Sequence, residues 1–403
     1  MRMYLAALGL NCALGHDKTS VARGLFAGDC SGMQPITDWI PEQPVVCGQV
    51  QASLPELAAA LPEHATRNNQ LLLAAALQVS DSIDAVIERY GRARVAVIIG
   101  TSTSGIHEAG LHIATRLQNN NVFPEAYNYH QQALADPAIF LSRWLNLAGP
   151  SYSISTACTS GARALLSAQR MLQAGLCDAV LCGGVDSLCR LTLNGFNSLE
   201  ALSTTLCNPF SARRQGINIG EGAALFVMTR ELLHRNEATP VLAGAGASSD
   251  AYHISAPQPE GLGASQAMQM ALDNAKLSAS AINYINLHGT ATQHNDAMES
   301  QAVYRLFADR VPCSSTKPMT GHTLGAAGAL EAAFCWLSLH PSYNPQAQLP
   351  AHIWDGCVDE KLAPIQLCDQ QQRLPSSGPR WLMSNSFAFG GNNTSLILGE
   401  APC

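Results

Sequence analysis

The sequence predicts an α/β fold with largely parallel sheets. Short apolar runs rich in β-branched residues recur along the chain, longer amphipathic stretches lie between them, and the two kinds alternate. Met1 to Leu10 is the first apolar run; without a charged leader or a small-residue cleavage site it reads as a strand, not a signal peptide. Asn69 to Tyr90 places Leu73, Ala76, Leu77, Ile83, Val86 and Ile87 on one broad face and stops at Gly91, which predicts one long helix. Arg94 to Gly100 is continuously apolar after its arginine and closes on glycine, the pattern of a strand buried on both faces. Ala179 to Gly184, Ala223 to Met228 and Ile282 to Leu287 read the same way. Further helices run from Thr159 to Ala174, stopping at Gly175, and from Gly321 to His340, stopping at Pro341.

A faint repeat divides the chain. Tyr4-Leu-Ala-Ala-Leu-Gly9 opens the first part and Val241-Leu-Ala-Gly-Ala-Gly246 opens the second in similar style. The division falls near Thr239-Pro240, after a helical stretch at Glu231–Asn236, giving halves 1–239 and 240–403. No low-complexity linker separates them, so the halves are expected to pack intimately.

Composition limits the function classes. Charged residues make up 13% of the chain, about half the ~25% usual in soluble domains. So little charge implies an extensive core and a large buried subunit interface. A net charge of −7 without any Lys/Arg run argues against nucleic-acid binding. No window approaches the ~18 apolar residues of a membrane span. The 13 cysteines are odd in number and include no C-x-x-C pair, which disfavours a disulfide framework or zinc knuckle and suggests a reducing, cytoplasmic setting.

Three segments carry chemistry. In Ser153-Ile-Ser-Thr-Ala-Cys158-Thr-Ser-Gly161 a strand ends and a helix begins beside a cysteine. That predicts a sulfur at a helix N-terminus, pushed toward thiolate from its usual pKa near ~8.5. Ile285-Asn-Leu-His288-Gly-Thr-Ala-Thr292 sets a histidine at the C-terminal edge of a buried strand, where sites in α/β sheets collect. The stretch Ser314 to Glu331 places Lys317 and His322 around a second helix start rich in Gly and Ala.

With Gly220-Glu-Gly222, Ser248-Ser-Asp-Ala-Tyr-His253 and Asn385-Ser-Phe-Ala-Phe389-Gly-Gly-Asn-Asn393, these segments make the chain resemble, over essentially its whole length, the β-ketoacyl-acyl carrier protein synthases of the Cys-His-His type. These belong to the thiolase-like superfamily. The resemblance implies two similar halves in a layered α-β-α-β-α arrangement, the first carrying the nucleophile and the second the two histidines and the lysine. It implies that Cys158 takes the acyl chain as a thioester and that the N–H groups of Cys158 and Phe389 form an oxyanion hole. His288 and His322 would hold the malonyl thioester during decarboxylation, with Lys317 and Glu331 orienting them. Phe389 would gate the acyl pocket. Thr103 falls where many relatives place a bulky residue limiting that pocket. Thr290, Thr292 and Ser255 match positions that contact the pantetheine arm. No metal or organic cofactor is implied. The partners implied are an acyl carrier protein and either a second copy or a similar ketosynthase-like subunit.

The chain departs from the common pattern in places. Thr292-Gln-His-Asn-Asp296 stands where relatives read Thr-Pro-x-Gly-Asp, and Phe210-Ser-Ala-Arg-Arg-Gln-Gly216 lacks a common Asp. These departures are similar to those of synthases from dedicated polyketide or polyene pathways. A thiolase would need a second cysteine in the turn Phe387-Ala-Phe-Gly-Gly391, which has none. A non-catalytic subunit of the chain-length-factor kind would lack the nucleophile, which this chain keeps. Because the carriers of this family are acidic and this chain is too, docking is expected to use a local basic patch. Arg67, Arg213 and Arg214 are its candidates.

Overall fold

The computed structural model describes residues 2–41, 43–57, 61–233 and 239–400. Strand β1 (Met3–Asn11) is followed by a separate hairpin of β2 (Met33–Ile40) and β3 (Gln43–Gly48). The first half continues with β4 (Val95–Gly100), β5 (Ser151–Ile154), β6 (Ala179–Asp186) and β7 (Gly222–Thr229). The second half contributes β8 (Pro240–Ser249), β9 (Tyr284–Asn286), β10 (Pro312–Ser314), β11 (Gln366–Leu367), β12 (Trp381–Phe387) and β13 (Asn392–Glu400). All but the hairpin join one 11-stranded sheet, β11-β10-β9-β12-β13-β8-β1-β7-β6-β4-β5.

The order repeats itself. The first half reads β5-β4-β6-β7-β1 and the second β10-β9-β12-β13-β8, the same arrangement by chain position. The two sets join where β1 pairs antiparallel with β8, Tyr4 opposite Val241. These two strands carry the sequence echo. The sheet is mixed, not largely parallel: β4–β5, β4–β6, β9–β10, β10–β11 and β9–β12 are parallel, while β1–β7, β1–β8, β6–β7, β8–β13 and β12–β13 are antiparallel. The apolar runs showed burial on both faces, which β4, β6, β7 and β9 do have. Strand direction follows the connections, which apolar content does not reveal.

Helices form three layers about these strands. The helices Ser160–Gln173 and Ala327–Leu339 lie in the middle, inside a core shared with residues of β1, β6, β7, β12 and β13. Arg67–Leu77, Ser80–Tyr90 and Asp136–Trp144 cover the outer face of the first half, and Leu262–Ala275 with Gln293–Phe307 cover that of the second. This is the layered α-β-α-β-α fold. The central helices occupy equivalent places and touch through glycines: a Cβ on Gly161 would stand 2.8 Å from the Ala329 nitrogen, and one on Gly328 2.7 Å from the Ala162 Cβ.

Two helix expectations need correction. The stretch 69–90 is two helices, Arg67–Leu77 and Ser80–Tyr90, bent by 76°. Thr66 caps the first, its Oγ1 accepting from the Asn69 N–H, and Gln78 leaves the helix to bond the Leu10 and His16 carbonyls. The stretch 321–340 is helical only over Ala327–Leu339, after a single tight turn at Leu324–Ala326. Glu231 to Leu233 are not helical, and the rest of that expected stretch lies outside the described residues. Among the described residues no single helix is long and apolar enough to cross a membrane.

Candidate active site

The equivalent strands of the two halves end in equivalent turns, and the chemistry sits on those turns. β5 leads into Thr156-Ala157-Cys158, and the helix starts at Ser160. Ala157 adopts φ +52°, an unfavourable value for a residue with a Cβ. The Ser160 hydroxyl accepts from the Thr156 N–H and donates to the Ala157 carbonyl, and Thr159 Oγ1 donates to the Thr156 carbonyl. This tight turn presents the Cys158 sulfur at the head of the helix.

His288 follows β9. Its N–H and that of Gly289 each donate to the buried Glu299 carboxylate at 2.7 Å. Gly289 lies at φ +35°, and a Cβ there would stand 2.6 Å from the Ser315 Cβ. Past β10 the four-residue helix Lys317–Thr320 and Gly321 bring in His322. Its N–H donates to the Asn218 carbonyl and its carbonyl accepts from the Gly220 N–H, which ties it to the Gly220-Glu-Gly222 segment.

These turns converge. His322 Nε2 lies 2.9 Å from Cys158 Sγ, and the His288 and His322 rings meet edge-on at 5.3 Å. Lys317 Nζ sits behind His288, donating to its backbone carbonyl and lying 3.5 Å from its Nδ1. The same ammonium pairs with Glu331 at 2.5 Å. All five side chains are buried.

Burial decides the protonation states. It pushes the Cys158 thiol up to about 12, which Lys317 only partly counteracts. This differs from the expected resting thiolate: loss of solvation outweighs the Lys317 charge, and the thiol must hand its proton to a neighbour. Burial first, then the Lys317 charge, hold both His288 and His322 well below the usual imidazole value. Both rings are neutral at neutral pH, and His322 Nε2 can accept the Cys158 proton. Burial raises Glu331 to about 7 against the pull of Lys317, and Glu299 to about 8 against its two N–H donors.

A cavity of about 560 Å³ opens onto Cys158, His288 and His322. Thr290, Thr292, Ser255 and Phe389 also line it, and the Thr290 and Thr292 hydroxyls lie 3.0 Å apart. Phe389 leans against Phe196 at 5.7 Å, ahead of Gly390 and Gly391, both at positive φ. Thr103 lies outside this lining, buried, its hydroxyl donating to Asp186 at 2.7 Å. Donor atoms of Cys158, His288 and His322 all lie within 4.8 Å of one another, as a soft metal ion would require. The Lys317 charge behind His288 opposes a cation there.

One docking candidate, Arg214, is corrected, and a second, Arg67, is paired but partly exposed. Arg67 forms a two-pronged pair with the buried Glu221 through Nε and NH2, and Arg214 is 5% exposed and paired with Asp359 at 2.6 Å. Arg214 serves the fold, being buried and already neutralising a carboxylate, whereas Arg67 keeps 38% of its side chain exposed. Arg213 is exposed. Sequence reasoning missed Glu299, Asp186 and Asn218. Glu299 had a signal, since Asn295, Asp296 and Glu299 share the helix directly after the histidine turn; the others had none.

A buried cysteine sharing a hydrogen bond with a neutral histidine, beside a second histidine and a lysine–glutamate pair, defines a thiol-dependent acyl-transfer site on a duplicated α/β fold. Residues 9–234 match the family described as Beta-ketoacyl synthase, N-terminal domain, and residues 239–348 match Beta-ketoacyl synthase, C-terminal domain. The chain belongs to the β-ketoacyl synthase family of acyltransferases. It is 31% identical to the 3-oxoacyl-[acyl-carrier-protein] synthase 2 of Coxiella burnetii over 99% of this chain and 98% of that protein. It is 40% identical to the synthase 2 of Rhizobium meliloti over 62% of this chain and 61% of that one. Among solved structures it resembles a chain of the complex between the ketosynthase ApeO and its chain length factor ApeC from Xenorhabdus doucetiae, at TM-score 0.91 and 46% identity over 99% of this chain and 98% of that one. The ishigamide ketosynthase/chain length factor gives TM-score 0.87 and 28% identity over 100% and 99%.

Proposed function

We propose that this chain is the catalytic ketosynthase of a dedicated polyketide- or polyene-type system, joining an acyl group to a malonyl extender by decarboxylative Claisen condensation. The contact between Cys158 Sγ and His322 Nε2 carries the reading. The sulfur attacks the carbonyl carbon of a carrier-bound acyl thioester while His322 takes its proton. The carrier thiol leaves with that proton, and the N–H groups of Cys158 and Phe389 stabilise the oxyanion between. A malonyl thioester then enters past Phe389, with its pantetheine arm against Thr290, Thr292 and Ser255. His288 and His322 hydrogen-bond its carbonyl. Loss of carbon dioxide leaves an enolate whose carbon attacks the Cys158 thioester, and the sulfur departs. Glu331 holds Lys317 in place, and the Lys317 charge offsets the charge developing on that enolate.

The pathway and the oligomer belong to the same proposal. Two structures that this chain resembles are ketosynthases with chain length factors, and Cys158, His288, Lys317 and His322 support reading this chain as the catalytic member of such a pair. Leu111, Leu117, Val122 and Tyr129 expose apolar surface on one stretch of chain, as a subunit interface requires. Residues 1–239 and 240–403 act as its two halves, and its twelve described cysteines, all free thiols, suit the cytoplasm. The test is a condensation assay with malonyl carrier and a panel of primers, run with the chain alone and with a chain-length-factor-like partner. Product that forms only, or grows longer, with the partner supports the reading. Identical products without it would point to a self-sufficient homodimer.

A further inference from the structure

Asp186 closes β6 as a fully buried carboxylate, and among the described residues no cation pairs with it. Its charge is met by donors alone. Oδ1 accepts from the Thr101 hydroxyl, the Ser102 N–H and the Thr103 N–H at 2.8 Å each, and from the Thr103 hydroxyl at 2.7 Å. Oδ2 accepts from the Ser102 N–H at 3.1 Å and from the Ala326 N–H at 3.2 Å. Gly325 permits this approach, since a Cβ there would stand 2.7 Å from Oδ2 and 2.8 Å from the Ser102 nitrogen.

These partners lead to both reacting groups. Ser102 Oγ donates to the Ala157 carbonyl, and Ala157 is the residue at positive φ directly before Cys158. Ala326 ends the turn Leu324–Ala326, which starts two residues beyond His322, so Ala326 itself lies four residues beyond it. Cys158 and His322 lie far apart in sequence and on different halves, yet they must meet at hydrogen-bond distance. An unpaired buried charge is costly, and a chain that keeps one gains rigid geometry from it. We propose that Asp186 is a positioning residue which, by holding the Thr101–Thr103 loop that reaches the Cys158 turn through Ser102 and by bonding the turn after His322 directly, sets the distance over which the thiol proton is transferred. It touches neither substrate nor the reacting atoms.

The test is single-turnover acylation of Cys158 by a hexanoyl-pantetheine thioester, followed by intact mass. Asp186→Asn keeps the shape but presents a donor to one of the N–H groups. The saturating acylation rate should fall by about tenfold or more, as small misplacements do, while the half-saturating thioester concentration stays within about twofold. The control is Asp136→Asn, a buried carboxylate held by His64 and Asn69 that contacts neither turn. It should lower the melting temperature and leave acylation unchanged. Ser102→Ala deletes only the bond to Ala157 and serves where Asp186→Asn does not fold; it should slow acylation by about threefold at unchanged half-saturation. The proposal is overturned by an unchanged rate in the Asp186 or Ser102 variant, by a change in half-saturation alone, or by an equal loss in the Asp136 variant.

Discussion

At Cys158 two effects compete, and the residue's chemistry follows from their balance. Burial pushes the thiol up to about 12, while a neutral imidazole nitrogen stands 2.9 Å away to receive its proton. Cysteine and histidine identities were readable in the sequence, as was a helix starting beside the cysteine. Their protonation was not, because desolvation depends on what packs around a group. Acyl loading should therefore hold steady as pH falls from 8 through 6.5, since the lowered imidazole pKa values keep His288 and His322 neutral there. Below 6.5 the unfolded chain's histidines take up protons that the folded rings refuse, so these rings make stability fall as pH falls. A pH–rate profile already half lost at 6.5 would contradict the neutral pair. The two half-reactions should also separate. Cys158→Ala should abolish acyl loading and keep malonyl decarboxylation, and His288→Ala should cut decarboxylation by roughly 10²–10³. Carbon dioxide release measured in both variants checks this, and equal loss in both would contradict it.

Between elements, the site depends on symmetry. β5 and β10 hold equivalent places in the two halves, and the turns after them carry Cys158 on one side and Lys317 with His322 on the other. β4 and β9 are likewise equivalent, followed by the Asp186-bound loop and the Glu299-bound His288 turn. The sequence showed β1, β4, β6, β7, β9 and the helix Ser160–Gln173, because apolar runs and Gly stops are local signals. It missed the break at Gln78, which depends on side-chain bonds to carbonyls more than sixty residues away, and it missed the antiparallel half of the pairings. The two central helices approach through Gly161 and Gly328. Gly161→Val should therefore force them apart and cost about 1–3 kcal/mol or more. A thermal melt should show a lower midpoint together with slower loading; an unchanged midpoint would mean that the helices do not cross as described.

For the whole molecule, scarce charged residues pointed to a large core and a subunit interface but could not say which arginines were free. Arg67 and Arg214 turned out to be bound to carboxylates distant in sequence, which leaves Arg213 as the most exposed cation of the three. Arg213→Glu should raise the apparent KM for carrier-bound substrate several-fold and flatten its salt dependence, because rim charges act on association. Turnover of a small pantetheine thioester should not change. Equal effects on both substrates would place Arg213 in the support of the fold.

The central claim is that one cysteine among thirteen carries the acyl chain, with His322 as its proton acceptor. Incubating the protein with a hexanoyl-pantetheine thioester and mapping the adduct by peptide mass spectrometry tests it directly. The account predicts a single hexanoyl group on the Cys158 peptide, absent from Cys158→Ala and strongly reduced in His322→Ala. An adduct on a half-buried thiol such as Cys357 or Cys30, or loading that is indifferent to His322, would contradict it.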